Sequence, residues 1–349
     1  MTRSIQLRVP ASTANLGPGY DSLGMALSLY LTVSATLSHA SANDSPTTPS
    51  ISLTYTGAEP GAISLDPSKN LISRTLLDTL RAAHTSLPAN SVLSIHIDNP
   101  IPLGRGLGSS GSAVVAGVVL ANWAAQLGWS RDKLLQHCVA IEGHPDNVAP
   151  SLLGGFVASV MSGSGPTAAQ DADHEPPVYT LQLPFAKDKI KLVAVVPAYH
   201  TPTDLARAAL PKAYAVGQVV HTVQRAVMLT HVLGNPNVHG KGTHLTKQAL
   251  GCLLDDVLHQ PYRMHLIPGF QQLKSALNTN PDVLGLCVSG AGPTVLIFCT
   301  LDVDVPQLTS SIEVEYAKLP HPEHPGKVGI DVLVLPIECA EEGSQWTES

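Results

Sequence analysis

Between residues 102 and 117 the chain reads PLGRGLGSSGSAVVAG, and this stretch limits what the remainder can be. Glycines 104, 106 and 108 remove the side chains that would hold successive backbone N–H groups apart, so those groups can converge on one anion. The serines add hydroxyl donors. The apolar run from Ser110 to about Leu127 predicts a long helix whose positive N-terminal end meets the same point. Phosphate binding is the direct physical reading. It is not a Walker A loop, since no Lys-Ser/Thr pair follows the glycines. Gly106, Gly108 and Gly111 do spell G-x-G-x-x-G, with Asp132 further on where a ribose-binding acid would stand. A dinucleotide fingerprint should follow its strand directly, however, and here Asn99-Pro100-Ile101-Pro102 intervenes. A purely structural glycine turn would not need paired serines.

Strand and helix patterns alternate around this loop. SIQLRV (residues 4–9), ISLTYTG from Ile51 and VLSIHID (residues 92–98) read as strands, and Met25–Leu37 as a β-rich region. Asn70–His84 has helical spacing, and Ser130 is placed to cap a further helix with Asp132 in its first turn. Two polar, Pro-containing stretches, 38–50 and 162–177, read as exposed loops. Beyond the second, KLVAVVP predicts a strand and mostly helical sequence runs to about Leu258. LGLCVSG and TVLIFC predict strands around a glycine turn, and VGIDVLVLP the last strand. The hexamers SGSGPT at Ser162 and SGAGPT at Ser289 nearly repeat, but only the second is flanked on both sides by strands. Both halves therefore mix strands and helices, implying two domains with a site between them.

Composition excludes some partners. A formal charge of −7 with no basic patch argues against nucleic acid. Five widely spaced cysteines with no C-x-x-C read as free thiols in a reducing compartment. The histidines form no H-E-x-x-H, and H-P-E-H at 321–324 lies in a Pro-rich turn rather than a metal site. The N-terminus has no apolar core of a signal peptide, and no run is long enough to span a membrane, so the expectation is a cytoplasmic protein.

P-x-G-x-G-L-G-S-S resembles the ATP loop of the GHMP kinases, a superfamily that includes galactokinase and the homoserine, mevalonate and phosphomevalonate kinases. VPASTANLGPGYDSLGMAL (residues 9–27) is similar, almost residue for residue, to the first motif of homoserine kinases. EGHPDNVAPSLLGG (142–155) resembles a block characteristic of that family, and LCVSGAGPTVLIF (286–298) the superfamily's third motif. Arg207, ending TPTDLAR, and Arg263, in LHQPYRMHLIPGF, stand in contexts similar to the carboxylate-binding arginines of homoserine kinases. A planar guanidinium grips a carboxylate through two parallel hydrogen bonds, which suits that role.

The resemblance implies an α+β, two-domain GHMP kinase fold. Residues 1–185 would form a ribosomal-protein-S5-domain-2-like nucleotide-binding domain and residues 186–349 a ferredoxin-like domain. It implies ATP-dependent transfer of the γ-phosphate to the side-chain hydroxyl of L-homoserine, giving O-phospho-L-homoserine for threonine biosynthesis, with Mg2+ and in a homodimer. It places Pro102, Gly104, Arg105, Gly106, Leu107, Gly108, Ser109, Ser110, Gly111 and Ser112 around the ATP phosphates and Asn70 at the adenine. Homoserine would meet Asn15, Asp21, His144, Asn147, Arg207, Arg263 and Gly285. Asn15 and Asp21 can also serve only to shape turns beside Gly17 and Gly19, and His144 only to cap a helix. Mg2+ would be held by Ser110 or Ser112 with Glu142; some relatives place that glutamate further upstream, where this chain has Gln136. Asp146, with Asp21 as a second catalytic candidate, stands where relatives use a base. No lysine accompanies it in the first motif, so Asp146 either accepts the hydroxyl proton or only orients the hydroxyl. The rival readings are another small-molecule kinase of the superfamily and a ligand-sensing regulator that has lost catalysis.

Overall fold

The computed structural model describes residues 2–39, 48–162, 178–235 and 247–349. The first half contributes β1 (Arg3–Ala14), β2 (Leu23–His39), β3 (Ser50–Gly57), β4 (Ser91–Asn99), β5 (Phe156–Met161) and β6 (Val178–Leu183) to one sheet. The second half forms a four-stranded sheet from β7 (Lys191–Pro197), β8 (Val283–Val288), β9 (Val295–Cys299) and β10 (Val332–Ile337), in the order β10–β7–β9–β8. A last strand, β11 (Gln345–Glu348), crosses back and pairs antiparallel with β1. The first sheet therefore runs β11–β1–β2–β4–β3, with β5 and β6 added beside β2, and has seven strands.

This return differs from the expectation that VGIDVLVLP ends the strand pattern. Only Val332–Ile337 of that run pairs with β7, and residues 338–349 belong with the first sheet although a cut at 185/186 assigns them to the second domain. QWTE carries too little apolar periodicity to stand out as a strand, and pairing with the free edge of β1 creates it. The SGSGPT repeat and most of the 38–50 and 162–177 stretches lie outside the described residues.

β1 begins with the alternation its sequence shows: Ile5, Leu7 and Val9 are buried while Gln6 and Arg8 face out. The helices of the first half are α1 (Leu71–Ala82), α2 (Ser109–Ala124), α3 (Arg131–Glu142) and α4 (Pro145–Leu153). Helix α2 packs on α1, α3, α4, β1 and β2. It is apolar around its whole circumference, as a helix surrounded by other elements should be. α1 is capped by Asn70, whose Oδ1 accepts from the Ile72 N–H at 3.0 Å. α3 is capped by Ser130 as expected.

The second half adds α5 (Thr203–Ala208), α6 (Val216–Gly234), α7 (Lys247–Leu253), α8 (Gln260–Arg263), α9 (Phe270–Leu277) and α10 (Val305–Tyr316). β7 is buried on both faces, which explains why KLVAVVP is a continuous apolar run. Val193 and Val195 face one core with α9 and α10, while Leu192, Ala194 and Val196 join the core of the first half. The two halves thus share packed interior, and the cleft between them has a firm floor.

Candidate active site

The glycine-rich loop sits at the junction of the halves. Gly104, Gly106 and Gly108 all have positive φ, and Gly108 caps α2 in the left-handed conformation at φ 67°. A Cβ on Gly108 would also collide with Ser12 Oγ on β1. The loop is held by both halves. The Ser12 N–H donates to Leu107 O at 3.2 Å, Thr294 N–H to Arg105 O at 3.3 Å, Thr201 N–H to Gly104 O at 3.1 Å, and Ser289 Oγ to Gly106 O at 2.6 Å. Arg105 is tied to Glu59 by a 2.7 Å ion pair, and His200 Nε2 lies 3.0 Å from the same carboxylate. The first-turn N–H groups of α2, which have no intrahelical acceptor, open on the cleft.

That cleft is lined by Gly104–Gly111, Asn15, Tyr20, Asp21, Glu142, His144, Asp146, Asn147, Thr201, Thr203, Arg207, Arg263 and Gly290–Gly292. On the other side of the loop a more apolar cavity is walled by Leu31, Tyr55, Ile63, Asn70, Leu103 and Ala113, and shares Gly104, Ser109 and Ser110. A phosphate cradle with a flat apolar cavity on one side and a charged cleft on the other suits a nucleotide and a polar second substrate.

In the charged cleft, Arg207 faces Asp21 through two parallel bonds: Nη2 donates to Oδ1 at 2.7 Å and Nη1 to Oδ2 at 3.1 Å. The two are partly exposed to the cleft. Asp21 has φ 53° and Asn15 φ 71°, so the turn between β1 and β2 is strained where it presents these groups. Arg263 is 2% exposed and donates to Ala206 O and Gly290 O, each at 3.1 Å. No carboxylate among the described residues forms an ion pair with it. Burial, with the Arg207 charge, pulls its guanidinium below its usual value. A buried cation without a counter-ion asks for an anionic ligand.

On the opposite wall, Asp146 lies in the first turn of α4 behind Pro145 at the first helical position. Gly24 on β2 lets that turn rest on the strand, since a Cβ there would collide with the Asp146 carbonyl. His144 Nδ1 lies 2.7 Å from Asp146 Oδ1. Burial pushes His144 down, but the bond to Asp146 and the charges of Asp146 and Glu142 outweigh it, so its pKa is raised and the ring serves as donor. Burial, then repulsion from Asp146, raises the Glu142 carboxyl despite the opposing pull of His144. Glu142 and Ser110 both line the cleft, and a carboxylate so disfavoured gains from a divalent cation. These donors are oxygens, as Mg2+ requires.

Several expected site residues are placed elsewhere. Ser112 is fully buried, and its hydroxyl is shared between Pro10 O at 2.9 Å and Gly108 O at 3.0 Å. It ties α2 to β1 and is turned away from any metal or phosphate. Pro102 is buried and lines neither cavity. Gly285 is in β8 beside Leu254 and Gly251, where small size serves strand–helix packing, and it lines neither cavity. The glycine turn that does reach the cleft is Gly290–Gly292. Asn15 lines the cleft, but its amide is committed: Nδ2 donates to Gly290 O at 2.8 Å and Oδ1 accepts from the Asp21 N–H at 3.0 Å. Asn147 Oδ1 accepts from Ser12 Oγ at 3.0 Å. Asn70 borders the apolar cavity, yet its amide caps α1 and donates to Ser64 O. His144 precedes α4 without capping it through its side chain.

Sequence reasoning missed Tyr20, Thr201, Thr203, Tyr55, Leu103 and Glu59. The first three sit inside segments already singled out, between Gly19 and Asp21 and within TPTDLAR. Leu103 lies within the glycine-rich segment itself, whereas Tyr55 and Glu59 carry no local signal.

Fold and site together define a kinase of the GHMP class, and residues 70–155 match the GHMP kinases N terminal domain and 244–316 the GHMP kinases C terminal domain. The homoserine kinase of Schizosaccharomyces pombe is 40% identical over 319 residues, covering 86% of this chain and 90% of that protein. The homoserine kinase of Saccharomyces cerevisiae is 37% identical over 328 residues, covering 86% and 89%. The crystal structure of homoserine kinase from Cytophaga hutchinsonii superposes with a TM-score of 0.73 at 26% identity, covering 99% of this chain and 97% of that one. The chain belongs to the homoserine kinase family of the GHMP kinases, and is a phosphotransferase.

Proposed function

We propose that the cleft transfers the γ-phosphate of ATP to the side-chain hydroxyl of L-homoserine, giving O-phospho-L-homoserine. The observation that carries this reading is the pairing of charges opposite the phosphate cradle. A free amino acid is a zwitterion, and the Arg207–Asp21 pair offers it a cation and an anion side by side, with Arg263 as a second, uncompensated cation. The substrate carboxylate takes Arg207 and Arg263; its ammonium takes Asp21. This orientation points the two-carbon side chain and its hydroxyl toward α4. His144 occupies Asp146 Oδ1, which leaves Oδ2 to accept the substrate hydroxyl and aim its oxygen at the phosphate. Phosphoryl transfer asks mainly for in-line positioning and charge neutralisation. The loop N–H groups and the N-terminus of α2 supply the neutralisation. Asp146 therefore orients the hydroxyl and receives its proton as the new O–P bond forms.

ATP lies with its phosphates on residues 104–111 and its base in the apolar cavity between Tyr55 and Leu103. Ser110 and Glu142 would hold Mg2+, which would supply further charge neutralisation at the phosphate. The chain's five cysteines are free thiols, which suits a reducing, ATP-rich cytoplasm. Among the described residues no helix is long and apolar enough to cross a membrane. We read the working assembly as a homodimer.

The test is ADP release from Mg-ATP with L-homoserine, mevalonate, shikimate or galactose as acceptor. Turnover with homoserine alone is expected. Turnover of mevalonate or shikimate instead would sink the substrate while keeping the class, and ATP binding without any turnover would favour a regulator.

A further inference from the structure

Behind the substrate arginine lies a buried histidine to which the proposed reaction assigns no role. His259, at the entrance to α8, has no exposed surface. Its Nε2 is 2.6 Å from Gly17 O, which can only accept, so Nε2 carries the proton. Nδ1 is then an acceptor, and Arg263 Nη1 donates to it at 3.2 Å. Asp256 fixes the ring's backbone by accepting from the N–H groups of Leu258, His259 and Gln260 at 2.7–2.9 Å. The ring stacks on Tyr20 at 5.2 Å, and the Arg263 guanidinium lies over the same tyrosine. The titratable groups that face it are Asp256, whose Oδ2 lies 3.5 Å from Nε2, Arg263, Tyr20 and Asp21. Burial lowers its pKa, in keeping with the neutral ring that two such bonds require.

We propose that His259 is a positioning residue: as a neutral imidazole it joins the strained Gly17 turn to Arg263 and aims that guanidinium at the substrate carboxylate. Gly17 belongs to the turn that presents Asp21, so one ring sets the spacing between the groups that grip the two ends of the zwitterion. The inference rests on the homoserine reading of the cleft. It also predicts a division between two amides. Asn in place of His259 keeps an acceptor near Nδ1 for Arg263, whereas Gln keeps only a donor near Nε2 for Gly17.

Steady-state kinetics of His259→Gln and His259→Asn test this against wild type. His259→Gln is expected to raise KM for homoserine at least tenfold with KM for ATP unchanged, and His259→Asn to recover much of that loss. Nitrogen NMR of the wild-type histidines should find one ring neutral and protonated at Nε2 from pH 6 to 9. A KM for homoserine within twofold of wild type in His259→Gln, or a ring that titrates in that range, overturns the positioning role. Wild-type enzyme without homoserine turnover would overturn the functional reading instead, a separate and earlier result.

A different surface carries a second inference. Helix α6 turns Leu229, Val232 and Leu233 inward, but Val216, Val219, Val220, Val223, Val227 and Met228 are 41–78% exposed. Their three- and four-residue spacing makes one continuous stripe with no charged side chain in it. β-Branched residues are poor choices for a solvated helix face, so five valines there point to burial. We infer that α6 packs against α6 of a second copy about a two-fold axis. An uncharged apolar stripe is complementary to itself, as a two-fold contact requires. The six side chains expose on the order of 500 Å2 per copy, so burying all of it in a pair reaches about 1,000 Å2, the lower bound for a specific contact before flanking residues are counted.

Sedimentation velocity at micromolar concentration should find a wild-type dimer, and Val220→Glu/Val223→Glu a monomer with unchanged circular dichroism. Val223→Cys should cross-link copies under mild oxidation beyond the wild-type level. A wild-type monomer, a double variant that stays dimeric, or no added cross-link overturns the inference.

Discussion

The two sides of the catalytic cleft are built by opposite means. The phosphate side is contiguous: residues 104–111 supply backbone N–H groups, and the glycines matter for the side chains they lack. The substrate side is scattered, with Asp21 from the β1–β2 turn, Arg207 from α5, Arg263 from α8 and Asp146 from α4. One side binds a group common to all nucleotides and can use backbone. The other must distinguish one small zwitterion and needs side chains of fixed charge and direction. Damage should therefore be steric and total on the first side, and graded and substrate-specific on the second.

The harshest break of this contrast is Gly108→Val, which combines a forbidden φ with a collision at Ser12. ATP binding and turnover should both be lost while the protein still folds, as calorimetry with a nucleotide and circular dichroism would report. Asp146→Asn should cut kcat by ~10²–10⁴-fold with both KM values little changed, because it removes a proton acceptor and leaves binding intact. A large rise in KM for homoserine would instead make Asp146 a binding residue.

Arg207→Lys should raise KM for homoserine about 10- to 100-fold, since one ammonium cannot replace two parallel guanidinium bonds. Its KM for ATP should stay put. Glu142→Gln sharpens the comparison from the metal side. The carboxyl pKa is raised on folding, so the folded state holds a proton longer than the unfolded one. That stability is present at low pH and fades as pH climbs from the ordinary carboxylate value through the raised one. At neutral pH the variant should melt a few degrees above wild type while its Mg2+ requirement worsens, and the melting gain should vanish at pH 4. The mildest change is Ser112→Ala, which should cost about 1 kcal/mol of stability. Half-saturation by Mg2+ should not move, whereas Ser110→Ala should weaken it.

The same contrast explains what could be read early. The phosphate loop, α2 and the Ser130 cap of α3 are local features in which a few consecutive residues carry their own physics. The EGHPDN and TPTDLAR segments were legible as blocks, though which atoms they would turn to the cleft was not. Asn15 illustrates the gap: its motif marked it for substrate, and its amide is consumed by Gly290 and Asp21 in holding a turn. Ser112 and Gly285 face packed interior instead, because one-residue differences in direction along a helix or strand exchange cleft for core.

The chain's own sequence determined the anion cradle, the apolar strands of both cores, and membership of a kinase class, since backbone preference and hydrophobic period act over short spans. Only the tertiary structure decided that β11 closes the first sheet, that Arg263 is buried with no ion-pair partner among the described residues, that His259 lies against it, and that Arg207 meets Asp21 186 residues away. Burial, pairing and the direction of a charge are properties of neighbours in space, and those neighbours are distant along the chain.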